Sequence, residues 1–134
     1  MGESDNMSPL EGIAQEELSA AVDNIKNTNY LENLFRPAPL SDMMSSYGPR
    51  LVDYLISGKS NNIGQVLTAY FSDLYPEFKE KSWRPSSVSV FVGQIVKLCS
   101  TLFPKAEDVI HAWKNTTGDG LIDSYDRWDK AERL

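Results

Sequence analysis

The segment 86–103, SSVSVFVGQIVKLCSTLF, constrains the fold of this chain more than any other part of it. Its apolar residues follow the i, i+3, i+4, i+7 spacing of one helix face, namely Val88, Phe91, Val92, Ile95, Val96, Cys99, Leu102 and Phe103. Val90 and Leu98 make parts of the opposite side apolar too, and such a helix needs cover from several neighbours. About 18 periodic residues exceed the usual length of a strand. The segment therefore predicts a central helix that follows a serine N-cap and ends at Pro104.

The rest of the chain predicts further amphipathic helices and no strand. These helices cover 8–26, 30–35, 51–56 and 63 to about 76, and then, beyond the central helix, 104–114 and 121–134; a turn or two is expected at 41–47. The first begins at a capping box in Ser8-Pro9-Leu10-Glu11, and Pro76 is expected to end the helix that starts at residue 63. We expect one all-α domain over 8–134, an irregular bundle of about seven helices around the helix 86–103, after a disordered acidic leader, 1–7.

The net charge of −6 is concentrated at one end of the chain. Residues 1–42 hold eight acidic residues against two basic ones, whereas residues 43–134 hold eleven of each. Phosphate binding requires clustered Lys and Arg, so the charge pattern argues against a nucleic-acid partner.

The sequence also predicts where the protein works. No apolar run approaches the 18 residues of a membrane-spanning helix, and the leader 1–7 lacks the apolar segment of a signal peptide. Cys99 is the only cysteine, so no internal disulfide can form. We expect a soluble protein in a reduced, intracellular setting.

The residue types of common active sites are sparse. In the predicted helix 104–114, the buried face consists of Ala106, Val109, Ile110 and Trp113. His111, the only histidine, lies on another face with Glu107 one turn back, and no nucleophile is close in sequence. Cys99 falls on the apolar side of the central helix, and one His with one Cys cannot form a usual zinc site. The sequence thus predicts a non-enzyme without a cofactor; an enzyme whose acidic site is assembled from separate helices is the alternative.

The segment 115–126, NTTGDGLIDSYD, resembles the calcium loop of EF-hands, and more closely the dockerin variant, which often ends in Asp. The resemblance implies oxygen ligands from Asn115, Thr117, Asp119, Leu121 (through its carbonyl), Asp123 and Asp126. It makes a calcium-responsive protein a second functional alternative. In the competing interpretation, the segment is a helix–loop–helix corner in which Gly118 and Gly120 permit positive φ and Asp119 caps the last helix.

Aromatic and methionine residues suggest a binding surface. Met43 and Met44 lie between two prolines, Trp83 lies among charged residues, and Tyr125 and Trp128 lie on the last predicted helix. Methionine adapts to varied partners and Trp is enriched in interface hot spots. Alternatively, these residues close the ends of the bundle. The sequence favours a non-catalytic interaction or assembly module that binds a protein partner or its own copy.

Overall fold

The computed structural model describes residue 10 and residues 12–26, 40–57 and 62–132, and these form helices and turns with no strand among them. The helices are α1 (Gln15–Lys26), α2 (Leu40–Tyr47), α3 (Leu51–Ile56), α4 (Ile63–Glu80) and α5 (Pro85–Leu102). A C-terminal run, Pro104–Glu132, follows; it consists of a 3₁₀ turn (Pro104–Ala106), α6 (Glu107–Trp113), a π-helical segment (Lys114–Gly118) and α7 (Asp119–Glu132). The all-α prediction is confirmed.

The predicted count of about seven helices is slightly off: although the labels reach α7, α6 and α7 belong to one continuous helical run. The two helices predicted after the central one are joined into the C-terminal run, because the segment between them is helical. The predicted leader 1–7 and the predicted helix 30–35 lie outside the described residues.

Helix α5 lies at the centre, as the sequence predicts. It packs against α2, α4, α6, the π-helical segment and α7. Seven of its residues are buried, and Leu98 is among them, whereas Val90 is 52% exposed and points to solvent. The predicted N-cap at Ser86 or Ser87 is wrong: Arg84 is the N-cap, and Pro85 occupies the first position of the helix, where a missing N–H costs nothing. No described helix is by itself both long and apolar enough to cross a membrane.

The first helix starts later than the capping box predicts. Gly12 adopts a φ of +81°, which interrupts the helix, and the Ile13 N–H donates to the Leu10 carbonyl at 3.1 Å in a turn. Helix α1 therefore begins at Gln15. Leu10 and Ile13 are still buried, so the turn contributes to the core without being helical.

Helix α4 continues through Pro76, where the sequence predicts its end. Pro76 is exposed, and the helix runs on to Glu80 because Phe78, one turn after Leu74, continues the buried face. The prediction that Pro76 ends this helix is therefore wrong. The helix ends where Ser82 adopts a φ of 56°.

The end of α4 is a Schellman motif. The Ser82 N–H donates to the Lys79 carbonyl, and the Trp83 N–H donates to the Phe78 carbonyl, both at 3.1 Å. This arrangement turns the chain sharply toward α5 and places Trp83 beside the core.

An aromatic cluster forms the centre of the core. The Phe91 ring centroid lies 5.9 Å from that of Phe71 and 6.0 Å from those of Tyr47 and Phe78, each with edge-to-face geometry. The Trp113 ring stacks on Phe71 at 5.7 Å with an interplanar angle of 20°. Since these rings come from α2, α4, α5 and α6, the cluster connects four helices in one contact network.

The π-helical segment aligns two buried aromatic residues. Trp113 and Tyr125 are twelve positions apart, which would place them about 120° apart around an uninterrupted α-helix. The one extra residue of a π turn reduces this to about 20°, so both side chains reach the core. Gly118 passes against the Trp113 ring, where a Cβ would lie 3.0 Å from Cζ3. The predicted helix–loop–helix corner at 115–120 is therefore wrong.

Candidate functional site

The structure buries three of the five residues predicted to form an interface. Met43, Met44 and Tyr125 are 0%, 3% and 1% exposed. Trp83 is half-buried, and its Nε1 donates to the Tyr47 hydroxyl at 3.1 Å. These four residues pack against the core of the bundle, as expected from the alternative to a binding surface. Trp128 is the fifth.

Tyr125 fastens α7 to the rest of the bundle. Its hydroxyl lies 2.6 Å from the Trp83 carbonyl oxygen and 3.1 Å from that of Phe78, and it donates to the nearer. Its ring packs edge-to-face on Phe78 and Tyr75. Helix α7 is thus fixed in rotation about its own axis.

Trp128 lies at the edge of this contact. Its ring is half-buried, 5.3 Å from the Tyr125 ring, and the Lys79 Nζ lies 5.2 Å from the ring centroid. A cation over an indole face is attracted to the ring quadrupole. Lys79 and Tyr125 therefore hold the indole in one orientation, with part of it accessible to solvent.

Four residues continue this edge along α7, and we call them the α7 flank: Leu121, Ser124, Trp128 and Ala131. Their spacing of three, four and three is that of alternating a and d positions in a coiled-coil heptad. Leu121 and Trp128 are half-buried, and Ser124 and Ala131 are exposed. Large and small side chains thus alternate along an edge that the core covers only in part.

A charged pair borders the α7 flank. Asp123 Oδ2 and Arg127 Nη2 are 3.4 Å apart, one helical turn from each other, with side chains 68% and 73% exposed. A second such pair, Asp126 and Lys130 at 3.0 Å, lies farther around the helix. Such exposed pairs add little to stability. The Asp123–Arg127 pair nevertheless gives the border of the flank an acidic end at Asp123 and a basic end at Arg127.

Val109 extends this edge toward the start of the run. It is 49% exposed, so its predicted place on the buried face is wrong. Val109 and Trp128 are nineteen positions apart, and the extra π residue reduces this to eighteen α-helical steps, or five full turns. The two side chains therefore project from the same side of the run.

The six predicted calcium ligands do not form a loop. Asn115 and Thr117 lie in the π-helical segment, and Asp119, Leu121, Asp123 and Asp126 lie on α7, where the carbonyl groups serve helical hydrogen bonds. Asp119 is paired with Lys114, at 2.6 Å between carboxylate and ammonium. In the described part of the chain, no three His, Cys, Asp or Glu residues are grouped as metal ligands. This arrangement gives the calcium alternative no support.

A Ser–His–Glu cluster lies in a shallow cleft of about 290 Å³ between α5 and α6. Ser100 Oγ is 3.5 Å and Glu107 Oε2 3.6 Å from His111 Nε2. In a catalytic triad, the nucleophile and the acid engage opposite ring nitrogens, whereas here both face one. Sequence reasoning missed Ser100, because only the bend of 118° between α5 and the C-terminal run brings it near the histidine.

Cys99 does not provide a nucleophile. It is completely buried, and this burial raises the pKa of its thiol to about 12. The thiolate that a nucleophile requires is therefore scarce at neutral pH.

A polar groove of about 450 Å³ lies between α3 and α4. Arg50 donates to both carboxylate oxygens of Glu77, at 2.8 and 2.6 Å, which lowers the pKa of Glu77. The Tyr54 hydroxyl donates to Asp73 at 2.5 Å, and this bond raises the pKa of Tyr54 to about 12. These groups satisfy one another across the groove, so they fasten α3 to α4. The sequence gives no signal for pairs separated by 27 and 19 positions.

Comparisons with protein-family models, curated proteins and solved structures found no match to this chain.

Proposed function

We propose that this chain is a non-catalytic helical module that binds a protein surface, its own copy included, through the α7 flank. The observation that carries the proposal is the half-exposed Trp128, which Lys79 and Tyr125 hold in place at the edge of the bundle. A rigid aromatic side chain at a surface loses little conformational entropy on binding, which is why Trp is common in hot spots.

The neighbours of Trp128 support the same proposal. Leu121 adds a half-buried apolar side chain one heptad earlier, and Val109 adds an exposed one on the same side of the run. The three form an apolar line on one continuous helical run, which is how amphipathic helices meet partners. An enzyme with an acid-based site and an intracellular location remain predictions, for which the geometry offers no specific support.

Site-specific photocross-linking in the native cell tests the proposal. A benzophenone amino acid replaces Asp123, which borders the flank, or, as the control, Lys97 on α5; both positions are exposed. We expect an adduct with a second polypeptide from position 123 and none from position 97. Adding Trp128→Ala should remove that adduct while the protein stays folded by circular dichroism.

Two results would contradict the proposal. One is the absence of any adduct at position 123, and the other is an adduct that persists unchanged without the indole of Trp128. A Trp128→Ala variant that loses its cooperative melt would show that Trp128 belongs to the core; Leu121→Ala then serves as the flank variant.

A further inference from the structure

We infer that the partner of the α7 flank is a second copy of the chain, bound antiparallel across a twofold axis. This inference rests on the proposed function and adds the identity of the partner and the register of the contact. Two properties of the flank carry it: the order of its large and small residues, and the order of the charges that border it.

The sizes of the flank residues are self-complementary in one antiparallel register. If Leu121 lies opposite Ala131 of the second copy, then Ser124 lies opposite Trp128, and the twofold axis repeats both contacts. Each large side chain thus meets a small one, so that the two helices can interdigitate. A parallel pair would set Trp128 against Trp128 and Ser124 against Ser124. The two indoles would then clash, and the two serines would leave a gap.

The bordering charges are complementary in the same register. Asp123 and Arg127 lie on one side of the flank, and in an antiparallel pair these sides face each other. The two Arg127 guanidinium groups then lie between the two Asp123 carboxylates, so each arginine reaches an aspartate of both copies. Opposite charges arranged in this way fix the register of a helix pair.

The size of the flank sets the strength of the contact. A pair of helices this short buries less than the roughly 1,200 Å² of a standard interface, so we expect a weak, reversible dimer. Its dissociation constant should lie in the range of about 10 μM to 1 mM, because interfaces below the standard size are typical of weak, transient complexes.

Sedimentation equilibrium of the full chain over a concentration series tests the inference. The weight-average mass should rise from the 15.0 kDa monomer toward twice that value. Arg127→Glu should raise the dissociation constant at least about tenfold, because it places four acidic groups at the centre of the contact. Lys130→Glu is the matched control: it also reverses one base and breaks one i, i+4 pair, but it lies farther from the flank.

Two further variants test the register. Asp123→Arg combined with Arg127→Asp should restore the dimer, since the charges keep their order with inverted sign. Leu121→Cys mixed with Ala131→Cys should form an intermolecular disulfide under mild oxidation, whereas Ala131→Cys alone should not. Cys99 is completely buried and does not compete.

The outcomes separate the two proposals. A chain that stays monomeric up to about 1 mM, or equal weakening by Arg127→Glu and Lys130→Glu, would overturn the dimer. Disulfide formation by Ala131→Cys alone would overturn the antiparallel register. If the wild type is monomeric while position 123 cross-links to a different polypeptide, the interaction module stands and the dimer fails; if no adduct forms either, both fail.

Discussion

Single residues fasten the helices together at the surface of the bundle. Arg50 ends the turn before α3, and its guanidinium holds both oxygens of Glu77 near the end of α4. The two side chains are 37% and 36% exposed, so solvent screens the pair and its contribution is at most about 1 kcal/mol. The shape of the contact matters more than its energy, since a bidentate pair fixes the angle between two helices.

Replacing Glu77 should give a pH-dependent loss of stability. The pKa of Glu77 is lower in the folded than in the unfolded chain, because Arg50 favours the carboxylate. Its stabilisation is therefore present above the unfolded-state pKa, about 4.3, and is lost as the pH falls through the folded-state pKa. We expect Glu77→Gln to unfold at lower urea concentration than the wild type at pH 7, with the difference shrinking at pH 3.

Glu80→Gln is the control for that experiment, because Glu80 is exposed on the same helix. It should match the wild type at both pH values. A Glu77→Gln deficit of the same size at pH 7 and pH 3 would mean that packing, not the ion pair, is responsible.

Among the elements, the C-terminal run is the one whose geometry depends on a single extra residue. The π-helical segment brings Trp113 and Tyr125 to one side, although their spacing does not suit an α-helix. An α-helix with one residue fewer in this stretch would align the same two side chains without a π turn.

Deleting Asn115 should therefore be tolerated. Asn115 is exposed within the π-helical segment, and its removal converts the segment to an ordinary α-helix while the aromatic residues keep their places. Deleting Ser72, an exposed residue of the regular helix α4, rotates Leu74 and Phe78 by about 100° away from the core. Thermal melts should show a cooperative transition near that of the wild type for the first deletion and none for the second. Equal damage from both would refute this account of the segment.

Sequence periodicity predicts the helices well where the apolar spacing is not interrupted by Gly or Pro. The extent of α3 and the core of α5 follow from apolar spacing between clear breakers. Two errors involve breaker residues: Gly12, at a positive φ, delays the start of α1 to Gln15 despite the capping box, and Pro76 does not end α4 because Phe78 is buried beyond it. Gly118 and Gly120 suggested a loop at 115–120, but the chain stays helical there through the π-helical segment. Val109 shares the apolar spacing of α6 but lies outside its buried face.

At the scale of the whole molecule, the aromatic cluster links four helices of the bundle. Phe91 contacts rings from two other helices and is completely buried. The helices that meet there include the one that bears the α7 flank, through Trp113 and the C-terminal run. The position of the α7 flank therefore depends on Phe91, although none of the flank residues is among the rings that Phe91 contacts.

Phe91→Ala should destabilise the fold by about 3–5 kcal/mol, because it removes a buried ring and leaves a cavity. Val90→Ala, one position earlier on the exposed side, should change stability by no more than about 0.5 kcal/mol. Urea denaturation of both variants measures the difference. Similar values for the two would place α5 at the surface and contradict the central packing.

The candidate site was only partly predictable from sequence. Trp128 was predicted as an interface residue and keeps a solvent-facing edge, because it lies at the rim of the α7 contact. Ser124 carries no apolar signal and Ala131 only a small one, and the arrangement of α7 on the bundle shows that both share an edge with Trp128. Tertiary packing, which local patterns do not contain, decides which side of an amphipathic helix stays open.

The three tryptophans have an optical consequence. Trp113 is 6% exposed and stacked on a phenyl ring, whereas Trp83 and Trp128 are only half-buried. A quencher dissolved in the buffer therefore reaches the fluorescence of the last two and not that of the first. The emission of Trp113 reports whether the bundle is intact, and the quenching of Trp128 reports whether something covers the α7 flank, without any attached dye.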